Sequence, residues 1–279
     1  MGLKLVACVG AALVLATTAS ASPLSRGAAY VRSQQNADGG FGEPGARSSP
    51  SLSAWAVLGL RSAGRWPRPG GARFLVRAPA RSAIDQSLHI LALDSLGRGV
   101  GIRARRLARL RAGNGRIGPT VNSTIWGVLA LRAAGRPAGR ASVRYLLRQQ
   151  RPSGGWSWYP RGAPDSNDTS AAVQALRAAG VSARSRSIRR ALRYLRRLQN
   201  RDGGFELTPG RGSDAQSTAW AIQAFVSARR KPGRASFAYL RRLQGRNGSF
   251  RYSRRYAPTP VWVTSQVLPA LARRPFPFR

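Results

Sequence analysis

The stretch Tyr145-Leu146-Leu147-Arg148-Gln149-Gln150-Arg151-Pro152-Ser153-Gly154-Gly155-Trp156 decides the fold, because it recurs. Tyr30-Val31 leads to Gln35, Gly39 and Phe41; Tyr194-Leu195 leads to Gln199, Gly203 and Phe205; Tyr239-Leu240 leads to Gln244, Gly248 and Phe250. The common form is aromatic, apolar, three residues, Gln, three residues, Gly, one residue, aromatic. A weaker copy keeps Arg111, Gly115 and Ile117, and the most degenerate begins at Phe74-Leu75. Self-similarity along a whole chain marks an array of stacked units. The residue types suit a joint between units. Gln satisfies backbone groups at helix ends, paired Gly allows a tight turn at positive φ, and the aromatic ring packs on the neighbouring unit.

After each loop a second segment repeats: SAWAVLGLRSAG, QSLHILALDSLG, STIWGVLALRAAG, TSAAVQALRAAG, STAWAIQAFVSA and VWVTSQVLPALA. These segments are apolar nearly all round and read as buried helices. The first segments differ. In RSIRRALRYLRRLQN, Ile188, Leu192, Leu195 and Leu198 form one apolar stripe, and the arginines fall mostly outside it. That is a helix with one wet face. Gly64, Gly97, Gly135 and Gly180 stand where a buried helix ends in a left-handed residue. Six outer-helix, loop, inner-helix units result. An inner helix that is apolar all round needs neighbours on every side, which six pairs closed in a ring provide. The expectation is an all-α protein, one α6/α6 toroid over residues 23–279. An open right-handed solenoid is the competing architecture; it would want polar caps, and the last inner segment is no more polar than the others.

Residues 1–22 read as an export signal: Lys4 gives a positive start, Leu5 to Ala16 are apolar, and Ala19-Ser20-Ala21 is a small-x-small cleavage pattern. The expected localisation is therefore secreted or cell-envelope. Cys8 is the single cysteine and His89 the single histidine. Without Cys8 the mature chain has no thiolate nucleophile, disulfide or cysteine metal ligand, and one histidine argues against a metal cluster or a Ser-His-Asp triad. No metal and no cofactor are expected. The net charge of +38 comes almost wholly from arginine, since Lys4 and Lys231 are the only lysines. Such a surface reads as composition bias on a solvated face, or as adhesion to an anionic cell-envelope polymer. Export and the lack of a nucleic-acid motif argue against nucleic acid as a partner, and a monomer is expected.

The repeat around Gln150, Gly154 and Trp156 resembles that of the squalene cyclase and protein prenyltransferase β-subunit superfamily, a fold also used by cobalamin carriers. Proton-initiated cyclases of that superfamily carry Asp-x-Asp-Asp-Thr at the start of an inner helix, the middle Asp being the acid. Here Asp165-Ser166-Asn167-Asp168-Thr169 stands in the matching place, with Asn167 at the acid's position. An amide cannot protonate an alkene; a neutral carboxylic acid of raised pKa can. The resemblance thus implies a toroid that binds an apolar ligand and is non-catalytic or altered. The alternative is an isoprenoid cyclase using Asp165 or Asp168 as its acid. The prenyltransferase zinc set of Asp, Cys and His has no counterpart in a mature chain without Cys.

Candidate ligand-contacting residues follow from aligning the inner helices. Trp55, Trp126 and Trp220 share one slot, near the helix start, and imply an aromatic pocket at one mouth of the ring. Core packing between helix layers is the other reading of the same three rings. Asp165 and Asp214 occupy equivalent positions, and most acids lie in the loops leading to inner helices. Such acids read as helix caps, or as an acidic rim able to take a cation or to hydrolyse sugars as a carboxylate pair. Asn167, Asp214 and His89 complete the candidate ligand set, although a single His on an apolar helix also reads as core. A third class of function is an envelope-interaction module that uses the arginine face, with the cavity filled.

Overall fold

The computed structural model describes residues 21–278. Most of the segment read as an export signal therefore lies outside the described residues. Six outer helices alternate with six inner ones. The outer helices are α1 Pro23–Ser33, α3 Gly71–Arg77, α5 Gly101–Arg109, α7 Arg140–Arg148, α9 Arg186–Arg197 and α11 Arg234–Arg242. The inner helices are α2 Pro50–Ser62, α4 Ala83–Ser95, α6 Val121–Ala133, α8 Ser166–Ala178, α10 Ala215–Ser227 and α12 Pro260–Leu271. One small antiparallel pair, β1 Phe205–Glu206 and β2 Ser213–Asp214, decorates the fifth loop.

The inner helices pack in chain order, and α12 returns to pack along α2 and α1. The ring is closed, which excludes the open solenoid. Apolar positions all round α6 are buried by neighbours on both sides, whereas α9 buries Ile188, Ala191, Leu192, Tyr194 and Leu195 on one face only. Gly64, Gly97, Gly135 and Gly180 end their inner helices at positive φ, and Arg229 and Arg273 take the same conformation in the last two repeats.

The repeated motif is the joint between neighbouring units. Gln150 Nε2 donates to the carbonyl of Gly154 in its own loop (2.8 Å) and to that of Ser187 at the next outer helix (2.9 Å). Gln35 bridges Gly39 and Arg68 in the same way. In the weaker copy Arg111 takes over, donating to Ser142 and to the Ala138 carbonyl. A Cβ on Gly154, at φ +100, would lie 2.6 Å from the Arg190 carbonyl, so the close approach of backbones requires glycine there. Each motif aromatic is fully buried, and its N–H donates to a hydroxyl on the following inner helix: Phe41 to Ser53, Trp156 to Thr169, Phe205 to Thr218, Phe250 to Thr264. Ile117 does the same with Thr124. Each bond adds about 1 kcal/mol net and leaves no orphaned loop donor beneath the helix.

Loops also serve the helix of the preceding repeat. The Trp158 carbonyl accepts from the N–H groups of Val121 and Asn122, the Leu207 carbonyl from Ser166, and the Tyr252 carbonyl from Ala215. At the seam a carboxylate does this work: Glu43 accepts from Val261 N–H and Trp262 N–H, both at 2.9 Å. The outer seam is tied by Gln244, which donates to the Pro23 carbonyl and accepts from Arg26.

Candidate functional site

All six inner helices bring their N-terminal turns to one mouth of the ring. The second position of five of these helices places Ser51, Ile84, Asn122, Asn167 and Gln216 at that mouth, and one turn deeper come Trp55, Leu88, Trp126, Ala171 and Trp220. Together with Trp158, Leu207, Trp262 and Gln266 they line a cavity of about 530 Å³, within the ~300–1,000 Å³ range of small-molecule sites. Ala171 is the small member of the deeper layer, and its short side chain leaves the room that the tryptophans elsewhere take up.

The indoles of Trp55, Trp126 and Trp220 form a triangle of edge-to-face contacts, with centroids 5.3, 5.8 and 5.6 Å apart. Trp220 Nε1 donates to Gln266 Oε1 at 2.9 Å, so its polar edge is satisfied. The three rings are only about 5% exposed. Both sequence readings therefore meet in them: they pack on one another as a core, and that core is the floor of the cavity. The bore does not run open through the ring. Trp262 extends the floor, 6.1 Å from Trp55.

The wall carries the acids. Asp165 is the N-cap of α8, its Oδ1 accepting from Asp168 N–H at 2.7 Å. Asp168 is buried, lines the cavity and accepts a short hydrogen bond from Asn122 Nδ2. Burial pushes the Asp168 carboxyl well above the usual carboxylate range, and the charge of Asp165 beside it adds to the shift. Burial raises Asp165 too, but the N–H groups of Asp168 and Asn167 and a hydrogen bond with the Asp168 side chain oppose that rise. The pair therefore favours the protonated form of Asp168 more than an ordinary carboxyl would, at a wall that faces an apolar space. Thr169, the last residue of the motif, caps Trp156 N–H and serves the joint.

The structure brings Trp55, Trp126, Trp220, Asp165, Asn167 and Asp168 to one cavity, together with Asp85. It does not bring His89 or Asp214 there. His89 is fully buried in α4, and desolvation lowers its pKa, so it is a neutral core side chain. Asp214 spends its carboxylate on α10, Oδ1 accepting from Ser217 N–H and Oδ2 from the Ser217 hydroxyl, both at 2.7 Å. Asn122 was missed in the sequence, although it occupies in α6 the slot that Asn167 occupies in α8. Among the described residues that line the cavity none is Arg or Lys, in a chain of net charge +38. Among the described residues no group of His, Cys, Asp and Glu has the makings of a metal site, and no helix is long and apolar enough to cross a membrane.

Residues 136–260 match the squalene-hopene cyclase C-terminal domain, and residues 2–63 match the prenyltransferase alpha-alpha toroid domain. No curated protein matches the sequence. Among solved structures, a protein from Actinoplanes superposes with a TM-score of 0.68 at 21% identity, over 90% of this chain and 98% of its own. The type II terpene cyclase MstE from Scytonema, solved with geranylgeranyl dihydroxybenzoate as substrate, gives 0.66 at 16% identity, over 90% and 96%. Protein geranylgeranyltransferase-I of Candida albicans, complexed with GGPP, gives 0.60 at 12% identity, over 80% and 83%. Both family matches and these structures agree with the repeat: the chain has the α/α toroid of the squalene cyclase and prenyltransferase superfamily.

Proposed function

We propose that this chain is an exported toroid that binds a neutral, mostly apolar, isoprenoid-like ligand in the mouth cavity. The observation that carries the reading is the composition of that cavity: an indole floor, aliphatic walls from Ile84, Leu88, Ala171 and Leu207, and acids with no basic side chain among them. A prenyl diphosphate would meet carboxyl groups at the wall and no cation, which disfavours it. Two of the structural neighbours hold geranylgeranyl compounds, which supports the isoprenoid class. Export rests on Lys4, the apolar run to Ala16 and Ala19-Ser20-Ala21. The test is to extract the purified exported protein with organic solvent, identify the extract by mass spectrometry, and titrate geranylgeraniol against geranylgeranyl diphosphate. The alcohol binds more tightly, and its affinity holds as ionic strength rises. Tighter diphosphate binding would refute the reading, and binding that collapses with salt would favour the arginine-face envelope module.

A second reading, isoprenoid cyclisation, is favoured by Asp168 at the wall, a buried carboxyl held well above the usual carboxylate range. Its O–H bond would break as a C–H bond forms at a ligand alkene. The resulting cation would be consumed by a neighbouring alkene, and the last cation would lose a proton to restore the acid. Conversion of squalene or geranylgeranyl substrates by the wild type, abolished in Asp168→Asn, supports this reading. No conversion by the wild type leaves the binder.

A further inference from the structure

Two hollows lie on opposite sides of the tryptophan layer. One is the mouth cavity. The other, of about 500 Å³, opens at the far end of the ring between Gln174, Arg132, Arg177 and the segment that follows α12. That segment turns back into the ring. Phe276 is 3% exposed and sits against all three indoles of the floor, 6.0 Å from Trp55, 6.2 Å from Trp126 and 6.0 Å from Trp220. Its N–H donates at 2.8 Å to Oε1 of Gln174, a side chain fully buried within the ring. Phe278 stacks on Phe276 at 4.9 Å, and the Arg274 guanidinium covers Phe278 at 5.3 Å. Arg274 also donates to the Arg61 carbonyl at the C-terminal end of α2.

An apolar ring in van der Waals reach of three others, with its backbone bound by a buried amide, is a built part of the core. Gln174 explains the choice of place. Its Nε2 donates to the Ser170 carbonyl, but its Oε1, in the middle of an inner helix, would be a costly buried acceptor without a partner. The inserted segment supplies that partner.

We infer that Pro275–Phe278 is the backstop of the mouth cavity and sets the length of ligand it accepts, with Phe276 as the residue that holds the indole floor in place. The inference rests on the proposed binding role of that cavity. Without the Phe276 ring, the indoles lose the surface that holds them up and can swing toward the far hollow. The cavity then deepens along the bore.

The test uses the full chain, Phe276→Ala, and a chain ended after Arg274. Unbranched alkanols of graded length displace the neutral fluorophore N-phenyl-1-naphthylamine, and acrylamide quenching of tryptophan is read in the same samples. In the full chain, affinity climbs about fourfold per added methylene until the cavity is full, then stops climbing. In the shortened chain the climb continues to longer alkanols, Phe276→Ala falls between, and quenching rises in the same order. An identical stopping length in all folded variants overturns the inference. If the full chain binds no alkanol, the proposed binding role fails, and the quenching alone decides: unchanged quenching in Phe276→Ala overturns the backstop, increased quenching supports it. Should the shortened chain fail to fold, as judged by circular dichroism, Phe276→Ala carries the comparison.

Discussion

Removing the Glu43 carboxylate should open the ring at its seam. At α6, α8 and α10 a carbonyl of the next loop receives the first N–H groups of the helix; at α12 Glu43 does so, with one oxygen to Val261 and the other to Trp262, each at 2.9 Å. Glu43→Ala leaves both donors to water. Each bond to a charged acceptor in isolation contributes ~1.5–3 kcal/mol, but Glu43 is half-buried, water can replace part of the loss, and a whole cap is typically ~0.5–2 kcal/mol. The expected cost is therefore about 2 kcal/mol, near the top of the capping range because two bonds are lost. For a domain of this size that lowers Tm by roughly 4–8 °C. Urea and thermal unfolding followed by circular dichroism measure it, and amide hydrogen exchange locates it. Exchange should quicken at Val261 and Trp262 and along the α12–α2 contact, while the α6–α8 contact keeps its protection. A loss below about 0.5 kcal/mol, or faster exchange spread evenly around the ring, would refute the idea that this side chain holds the closure.

Two further outcomes follow from the site. Asp168 has a folded pKa raised above its unfolded value, so between those two values the native state holds more protons than the unfolded one. Stability must then fall as pH rises through that window and level off above it. Asp168→Asn should flatten that fall in a series of urea midpoints, and an unchanged slope would place the proton elsewhere. Trp55 touches Trp126, Trp220, Trp262 and Phe276. Trp55→Ala should therefore cost ~3–5 kcal/mol of folding stability besides weakening ligand binding; a loss under 1 kcal/mol by urea titration would show that the floor does not bear on the core.

The joints were legible because they repeat. Gln35, Gln150, Gln199 and Gln244 sit at one offset from Gly and an aromatic residue, and in the structure each donates to the carbonyl of that Gly. The slot shared by Trp55, Trp126 and Trp220 was legible too, and its place near the helix starts put the cavity at a mouth. What those rings do to the bore was not, since spacing says which face a side chain occupies but not whether three such side chains turn inward until they meet. Asp165 and Asp214 look alike in sequence and both cap helices. Asp165 nevertheless gains a second acid, Asp168, where repeat five has Ser217, and only that pair borders the cavity. Glu43 with α12, and Phe276 with Gln174, join residues far apart in the chain and occur once each, so no repeat announces them.

The parallel arrangement of the six inner helices has an electrical consequence. Each helix carries roughly half a positive charge at its N-terminus and half a negative charge at its C-terminus, so six aligned helices give the mouth about three positive charges and the far end about three negative ones. The few acids of this arginine-rich chain gather at the mouth: Glu43 and Asp214 cap helix starts, Asp165 caps α8, and Asp85 closes the first turn of α4. At the far end Arg61, Arg132 and Arg177 donate into the carbonyls of Ser95, Ala178 and Ser227, the last turns of the next inner helices. The carboxylates at the mouth therefore act less as an acidic surface than as the counter-charge of a macroscopic dipole. A neutral ligand crossing that threshold meets a nearly compensated field, whereas deleting any one of these acids would shift the entrance by one charge toward positive and make it more attractive to anions.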